Sequence, residues 1–300
     1  MSQAMGECEP AMRQVDPTTT ERGDRPAASG TARIVAQRLE RLYATRKSEV
    51  KALGPLDLEV RDGEFLCVVG PSGCGKSTFL RLVGGLVRPT AGEIDVIHDD
   101  PARHLVSIVF QDHSIFPWQT VEQNVRTGLD IATNLTKVEK KTRVDELLDL
   151  MGLAAFARSY PASLSGGMRQ RVSIARALAV DPEILLMDEP FGSLDAQLRT
   201  ILQEELIQLW EQDRRTVIFV THALDEAIFL GDRVVIMSAR PGVLRSEVEV
   251  PFPRPRSHDL RGTSEFAELV QRTWDVLRDE VVAELEEARA VGRSADGARR

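Results

Sequence analysis

The stretch GPSGCGKST, Gly70 to Thr78, decides how this chain is read. It fits G-x-x-x-x-G-K-[ST], with Gly70, Gly75, Lys76 and Ser77 in the required places. An apolar run, Phe65 to Val69, enters it, and Phe79 to Val83 leave it in a helix-like pattern. The residue types answer a physical need. Glycine permits φ > 0 and lets a ligand approach the backbone closely. Successive N–H groups then converge on an anion at the start of a helix. Lys76 offers a point charge to the β- and γ-phosphates, and the Ser77 hydroxyl can ligate Mg²⁺. Pro71, Ser72, Gly73, Cys74 and Thr78 complete the wrap. The loop implies a purine nucleoside triphosphate with Mg²⁺, and leaves kinase, GTPase, helicase and motor open.

The chain has 300 residues, 42% apolar and 28% charged, the balance of an ordinary globular protein with room for one large or two modest domains. No apolar run approaches the ~18 residues needed to span a bilayer. The N-terminus carries no basic region followed by an apolar stretch, so a cytosolic chain is expected unless a partner carries it to a membrane. A net charge of −8 argues against bulk electrostatic attachment to nucleic acid. Cys8, Cys67 and Cys74 form neither a disulfide nor a zinc pattern.

Residues 1–32 are polar, rich in Pro, Thr and Gly, and aperiodic, the composition of a disordered tail. Between about 33 and 250, β-rich runs alternate with helical stretches, an α/β pattern. Strands are expected at Glu64–Val69, Gly92–Ile97, Val106–Phe110, Ile184–Met187, Val217–Thr221 and Arg233–Met237, several of them continuous apolar runs suited to a parallel sheet buried on both faces. A helical insertion is expected over about 116–168. A proline-rich linker follows at Pro251–Arg256. Beyond it Phe266, Leu269, Val270, Trp274, Leu277, Val281 and Leu285 recur at helical spacing, an amphipathic helix packing on the core.

The apolar run Ile184–Met187 ends in Asp188 and Glu189. Asp188 can hold the Mg²⁺ shell, and Glu189 can orient or deprotonate an attacking water. The discriminating stretch is LSGGMRQR, Leu164 to Arg171, ahead of the helix-like VSIARALAV. Ser165 is placed to cap that helix, and Gly166 and Gly167 expose N–H groups at its positive end. A second anion site without a lysine thus stands some 90 residues after the first. Two subunits arranged head to tail could each offer this loop to the other's nucleotide.

Here the sequence resembles the ATP-binding cassette (ABC) family, whose signature is LSGGQ or a close variant, with Met168 at the fifth position. The resemblance covers roughly residues 34–245. Phe110-Gln111-Asp112 resembles the family's Q-loop, whose glutamine senses Mg²⁺ and the attacking water. Ser193-Leu194-Asp195 resembles the D-loop, and Val220-Thr221-His222 the switch loop, with His222 reaching the γ-phosphate. Tyr43 is similar to the aromatic residue that stacks on adenine. The fold implied is a P-loop NTPase cassette with an inserted helical subdomain and a C-terminal helical extension.

The segments at 110–125, 188–199 and 237–256 are similar to the nitrate/sulfonate/taurine-type importer ATPases. Pro117-Trp118 and the Arg-Pro-Gly at 240–242 carry that likeness. Ser193 in place of alanine, and HDDPARHL at 98–105 in place of an Asp-Gly hairpin, depart from it. The resemblance implies an ATP- and Mg²⁺-dependent homodimer on the cytoplasmic face of the cell membrane. It would drive permease subunits fed by an extracytoplasmic solute-binding protein, with no nucleic-acid partner. A soluble, non-transport ABC ATPase acting on nucleic acid or as a regulator is the alternative.

Overall fold

A computed structural model describes residues 12–14, 31–44, 49–101, 103–112, 114–238 and 240–297. The loop at 70–78 hangs between strand β4 (Phe65–Val69), every residue of which is buried, and helix α1 (Lys76–Val83). In chain order β1 (Met12–Gln14), β2 (Ala32–Ala44) and β3 (Glu49–Arg61) precede β4. After α1 come β5 (Ala91–Val96), β6 (His104–Val109), α2 (Val121–Ala132), α3 (Lys137–Leu150) and α4 (Gly166–Ala179). The chain continues through β7 (Pro182–Asp188), α5 (Ala196–Asp213), β8 (Thr216–Val220), α6 (Leu224–Leu230), β9 (Arg233–Met237), β10 (Leu244–Glu249) and α7 (Ser264–Gly297).

Seven strands form one sheet in the order β1-β10-β9-β4-β8-β7-β6, and β3-β2-β5 form a second. Pairings from β9 to β6 are parallel, whereas β10 and β1 add an antiparallel edge. The parallel strands read as unbroken apolar runs because both faces are covered. Their alternate residues divide the core in two. Leu66, Val68, Ile184, Leu186, Ile218 and Val220 face a cluster shared with β2, β3 and α1. Phe65, Cys67, Val69, Leu185, Met187 and Phe219 face one shared with α2 to α7.

The structure thus has the expected P-loop ATPase architecture, with a helical subdomain of α2–α4 and a helical C-terminal extension. Capping boxes, Thr120 with Gln123 and Thr136 with Glu139, start α2 and α3. Residues 12–14 of the proposed N-terminal tail pair with β10; the rest of that tail, apart from 31 and 32, lies outside the described residues. Phe266, Leu269 and Leu277 of α7 are buried, while Trp274 stays partly exposed. Of Leu285 only the backbone is described.

Two readings need correction. The strands β2 and β3, 13 residues each, were expected only as undefined β-rich sequence. Their alternation is broken by bulges between Ala36 and Leu39 and around Arg41, and Gly54-Pro55 inside β3 argues against a strand on sequence grounds. The segment Pro251–Arg256 is also no free linker. The Arg256 guanidinium is buried and donates to the carbonyls of Ile228 (3.2 Å), Phe229 (3.0 Å) and Gly231 (2.7 Å) at the end of α6. Those are the orphan acceptors a helix C-terminus presents, and a cation there also meets the negative end of the helix dipole. Arg254 lies over the Trp210 ring at 4.2 Å and pairs with Asp232 at 2.9 Å.

Candidate nucleotide site

The site gathers at the C-terminal ends of the parallel strands, where open α/β sheets receive ligands. β4 delivers the phosphate loop, β7 delivers Asp188 and Glu189, and β8 delivers His222. Gly70, Gly73 and Gly75 have φ of 159°, 73° and 98°, so the last two stand where a side chain would be strained. A Cβ on Gly75 would strike the Ala52 carbonyl, and one on Gly73 would come within 2.6 Å of the Arg240 guanidinium. The loop is therefore packed from behind by β3 and by the Arg-Pro-Gly turn.

Lys76 is buried and its ammonium donates to the carbonyls of Gly70 and Pro71, both at 2.8 Å. Cys74 is buried beside it, its sulfur 3.8 Å from the same ammonium; burial pushes its thiol pKa up, and Lys76 opposes the shift. Ser77 donates to Asp188 Oδ1 at 3.1 Å. Burial pushes the Asp188 carboxyl above the ordinary aspartate range; the Ser77 bond works against this and the neighbouring Glu189 charge adds to it. Among the described residues no group of three or more His, Cys, Asp or Glu could hold a metal unaided. Two oxygens from Ser77 and Asp188 nonetheless suit Mg²⁺, which keeps few protein ligands and completes its shell with phosphates and water.

Glu189 is held at φ 47°, an uncommon value for a side chain other than glycine, and its N–H donates to Val220 O at 3.0 Å. Its Oε2 is met from two sides: Gln111 Nε2 donates at 3.2 Å, and His222 Nδ1 stands at 3.4 Å. The structure thus brings Gln111, Glu189 and His222 together, next to Ser77 and Asp188.

The other expected residues lie in separate places. Ser165 caps α4 and accepts from Met168 N at 3.2 Å. Gly167 packs on the turn before α5, where a Cβ would sit 3.0 Å from Leu194. Asp195 caps α5 by accepting from Leu198 N at 2.9 Å. Tyr43 pairs with Val50 across β2 and β3, and the Arg41 guanidinium lies 4.7 Å from its ring centre. Sequence reasoning missed the buried pair Thr221 and Glu226 behind His222, and Arg240 against Gly73. A Thr before the strand-end His, with Glu four residues on in α6, was the available signal.

The sequence model of the ABC transporter family matches residues 53–192. An aliphatic sulfonates import ATP-binding protein of Bacillus cereus is 41% identical over 240 residues, covering 79% of this chain and 94% of that protein. A bicarbonate transport ATP-binding protein of Synechocystis is 43% identical over 234 residues, covering 76% and 83%. Among solved structures, the ATP-binding cassette MJ0796, a dimer in a post-hydrolysis state bound to ADP and Pi, superposes with a TM-score of 0.67 at 32% identity, covering 73% of this chain and all of that one. With the phosphate loop, the paired carboxylates and the capped signature helix in place, these likenesses make the chain an ATP-binding, ATP-hydrolysing cassette of the ABC transporter family.

Proposed function

We propose that this cassette is the ATPase subunit of a membrane importer for a small anion, such as nitrate, a sulfonate or taurine. The observation that carries the ATPase chemistry is the meeting of Gln111 and His222 on one oxygen of Glu189, beside the Ser77–Asp188 pair. The anion class rests on the sulfonate and bicarbonate transport proteins it is similar to.

In this reading Tyr43 stacks on adenine and Gly70–Thr78 wraps the phosphates, Lys76 exchanging its two carbonyl partners for phosphate oxygens. Ser77 and Asp188 would hold Mg²⁺ with Gln111 beside them, and the ion would neutralise charge on the β- and γ-phosphates. Glu189 takes the proton of the attacking water, and His222 donates to the γ-phosphate. Ser165, Gly166 and Gly167 of a second copy, and Asp195 across the interface, complete the site; the dimer seen for MJ0796 supports that arrangement.

Residues 33–250 form the ATPase unit, with about 116–168 facing the permease. Asn124, wholly buried, donates to the carbonyls of Phe116, Gln119 and Thr120 and accepts from Phe116 N at 2.7 Å, which pins the turn that leaves Trp118 72% exposed. A pinned loop presenting an aromatic side chain suits a groove that takes a permease segment. Among the described residues no helix is long and apolar enough to cross a membrane; in this proposal the permease holds the cassette at the cytoplasmic face.

Gentle solubilisation of native membranes followed by affinity capture of the tagged chain tests this. A polytopic membrane protein recovered in roughly equal amount is the expected result. Recovery only from the soluble fraction, with nucleic acid or ribosomes, would replace it with a non-transport ATPase.

A further inference from the structure

The switch residue His222 sits in a small turn whose construction reaches far from the site. Thr221 Oγ1 accepts from Ala223 N at 3.0 Å, so the hydroxyl closes a turn with His222 at its centre. The same hydroxyl donates to Glu226 Oε2. Glu226 Oε1 accepts from Gln203 Nε2 of α5 at 2.6 Å, and Gln203 Oε1 accepts from Arg261, in the turn His258–Gly262 ahead of α7. Thr221, Glu226 and Gln203 are all at most 5% exposed. The Gln203 amide is therefore oriented by a carboxyl acceptor on one side and a guanidinium donor on the other. Arg261 is itself held over the Phe229 ring of α6 at 4.1 Å. Arg256 meanwhile grips the last carbonyls of α6.

We propose that Glu226, with Gln203 and Arg261 behind it, positions His222 for hydrolysis, so that the segment 254–262 sets the turnover rate through α6. The proposal rests on His222 acting at the γ-phosphate. A buried carboxylate that accepts from both Thr221 and Gln203 has no substitute of equal shape: a glutamine has one acceptor where two donors arrive, leaving one donor unmet. The relay touches neither the phosphate loop nor Tyr43, so it should act on the rate and leave nucleotide affinity alone.

The test compares steady-state ATP turnover of the full chain, and nucleotide binding, for Glu226→Gln, His222→Ala and the double variant. Expected are a fall in kcat of about tenfold or more for Glu226→Gln with KM within about twofold, and no further loss when it is added to His222→Ala, as for residues acting as one unit. Arg261→Ala should lower kcat several-fold, and Arg261→Lys should recover part of it. Should Glu226→Gln fail to fold, Thr221→Val against Thr221→Ser reads the same turn: loss with valine and retention with serine supports the relay. Full turnover by Glu226→Gln or Thr221→Val, beside a crippled His222→Ala, overturns it alone. Full turnover by His222→Ala overturns the reading of His222 and the relay with it.

Discussion

Glu189 owes its placement to a backbone that few side chains accept. At φ 47° it turns sharply off the end of β7, and Val220 O fixes its N–H. Glu189→Gln keeps those backbone features and removes the base, so it should bind ATP and turn it over at least about tenfold more slowly. Near-normal turnover, measured as released phosphate, would take Glu189 out of that role. Asp188 carries a pH prediction. Its carboxyl is raised by burial, so the fold disfavours the charged form. The sign is that of a group whose stability contribution is greatest below its ordinary pKa and is lost as pH rises through the raised value. A metal needs the deprotonated form, so proton and Mg²⁺ compete. Mg²⁺-dependent ATP binding, followed by calorimetry from neutral pH downward, should weaken at a pH above the ~3.9 of an ordinary aspartate. Binding that holds unchanged to pH 4 would contradict a raised Asp188. These residues stood out because the phosphate loop precedes them: an apolar run ending in Asp-Glu is common by itself, and gains meaning only beside that loop.

Among the elements, α6 is seven residues long and depends on neighbours for its ends. Helices that short gain little from their own hydrogen bonds, which makes the Arg256 clamp a principal support. Burial, together with the charge of Arg254, lowers the Arg256 pKa to about 10, so it remains a cation at neutral pH. Arg256→Ala leaves three carbonyls without their charged donor and should cost about 2 to 4 kcal/mol, visible in a denaturant titration with unchanged m-value; a loss under about 0.5 kcal/mol would show that water replaces the clamp. The sequence around Arg256 suggested a spacer, because proline and arginine together usually mark solvated chain. What it lacked was knowledge of which carbonyls lie opposite. The same limit hid Glu226 and Gln203, which are 23 residues apart and meet only through the packing of α5 against α6. Helices α2 and α3, whose caps are local, both fall within the helical insertion expected over about 116–168.

For the whole molecule, the signature loop begins a different helix from the phosphate loop, and its Ser165 spends its side chain on capping α4. Ser165→Arg should leave nucleotide binding by the single copy intact and abolish the ATP-induced dimer, as read by light scattering with Glu189→Gln in the background to hold ATP. A dimer formed by that variant would contradict the shared site. The contact of Gln111 and His222 with the same Glu189 oxygen has a consequence for fuel economy. In the free chain Oε2 of the proposed base already accepts from Gln111 and has His222 beside it, so a water there must share that oxygen or turn to the other. In the proposed scheme hydrolysis would then wait on whatever draws Gln111 and His222 off that oxygen, and ATP consumption would follow assembly rather than encounter with nucleotide.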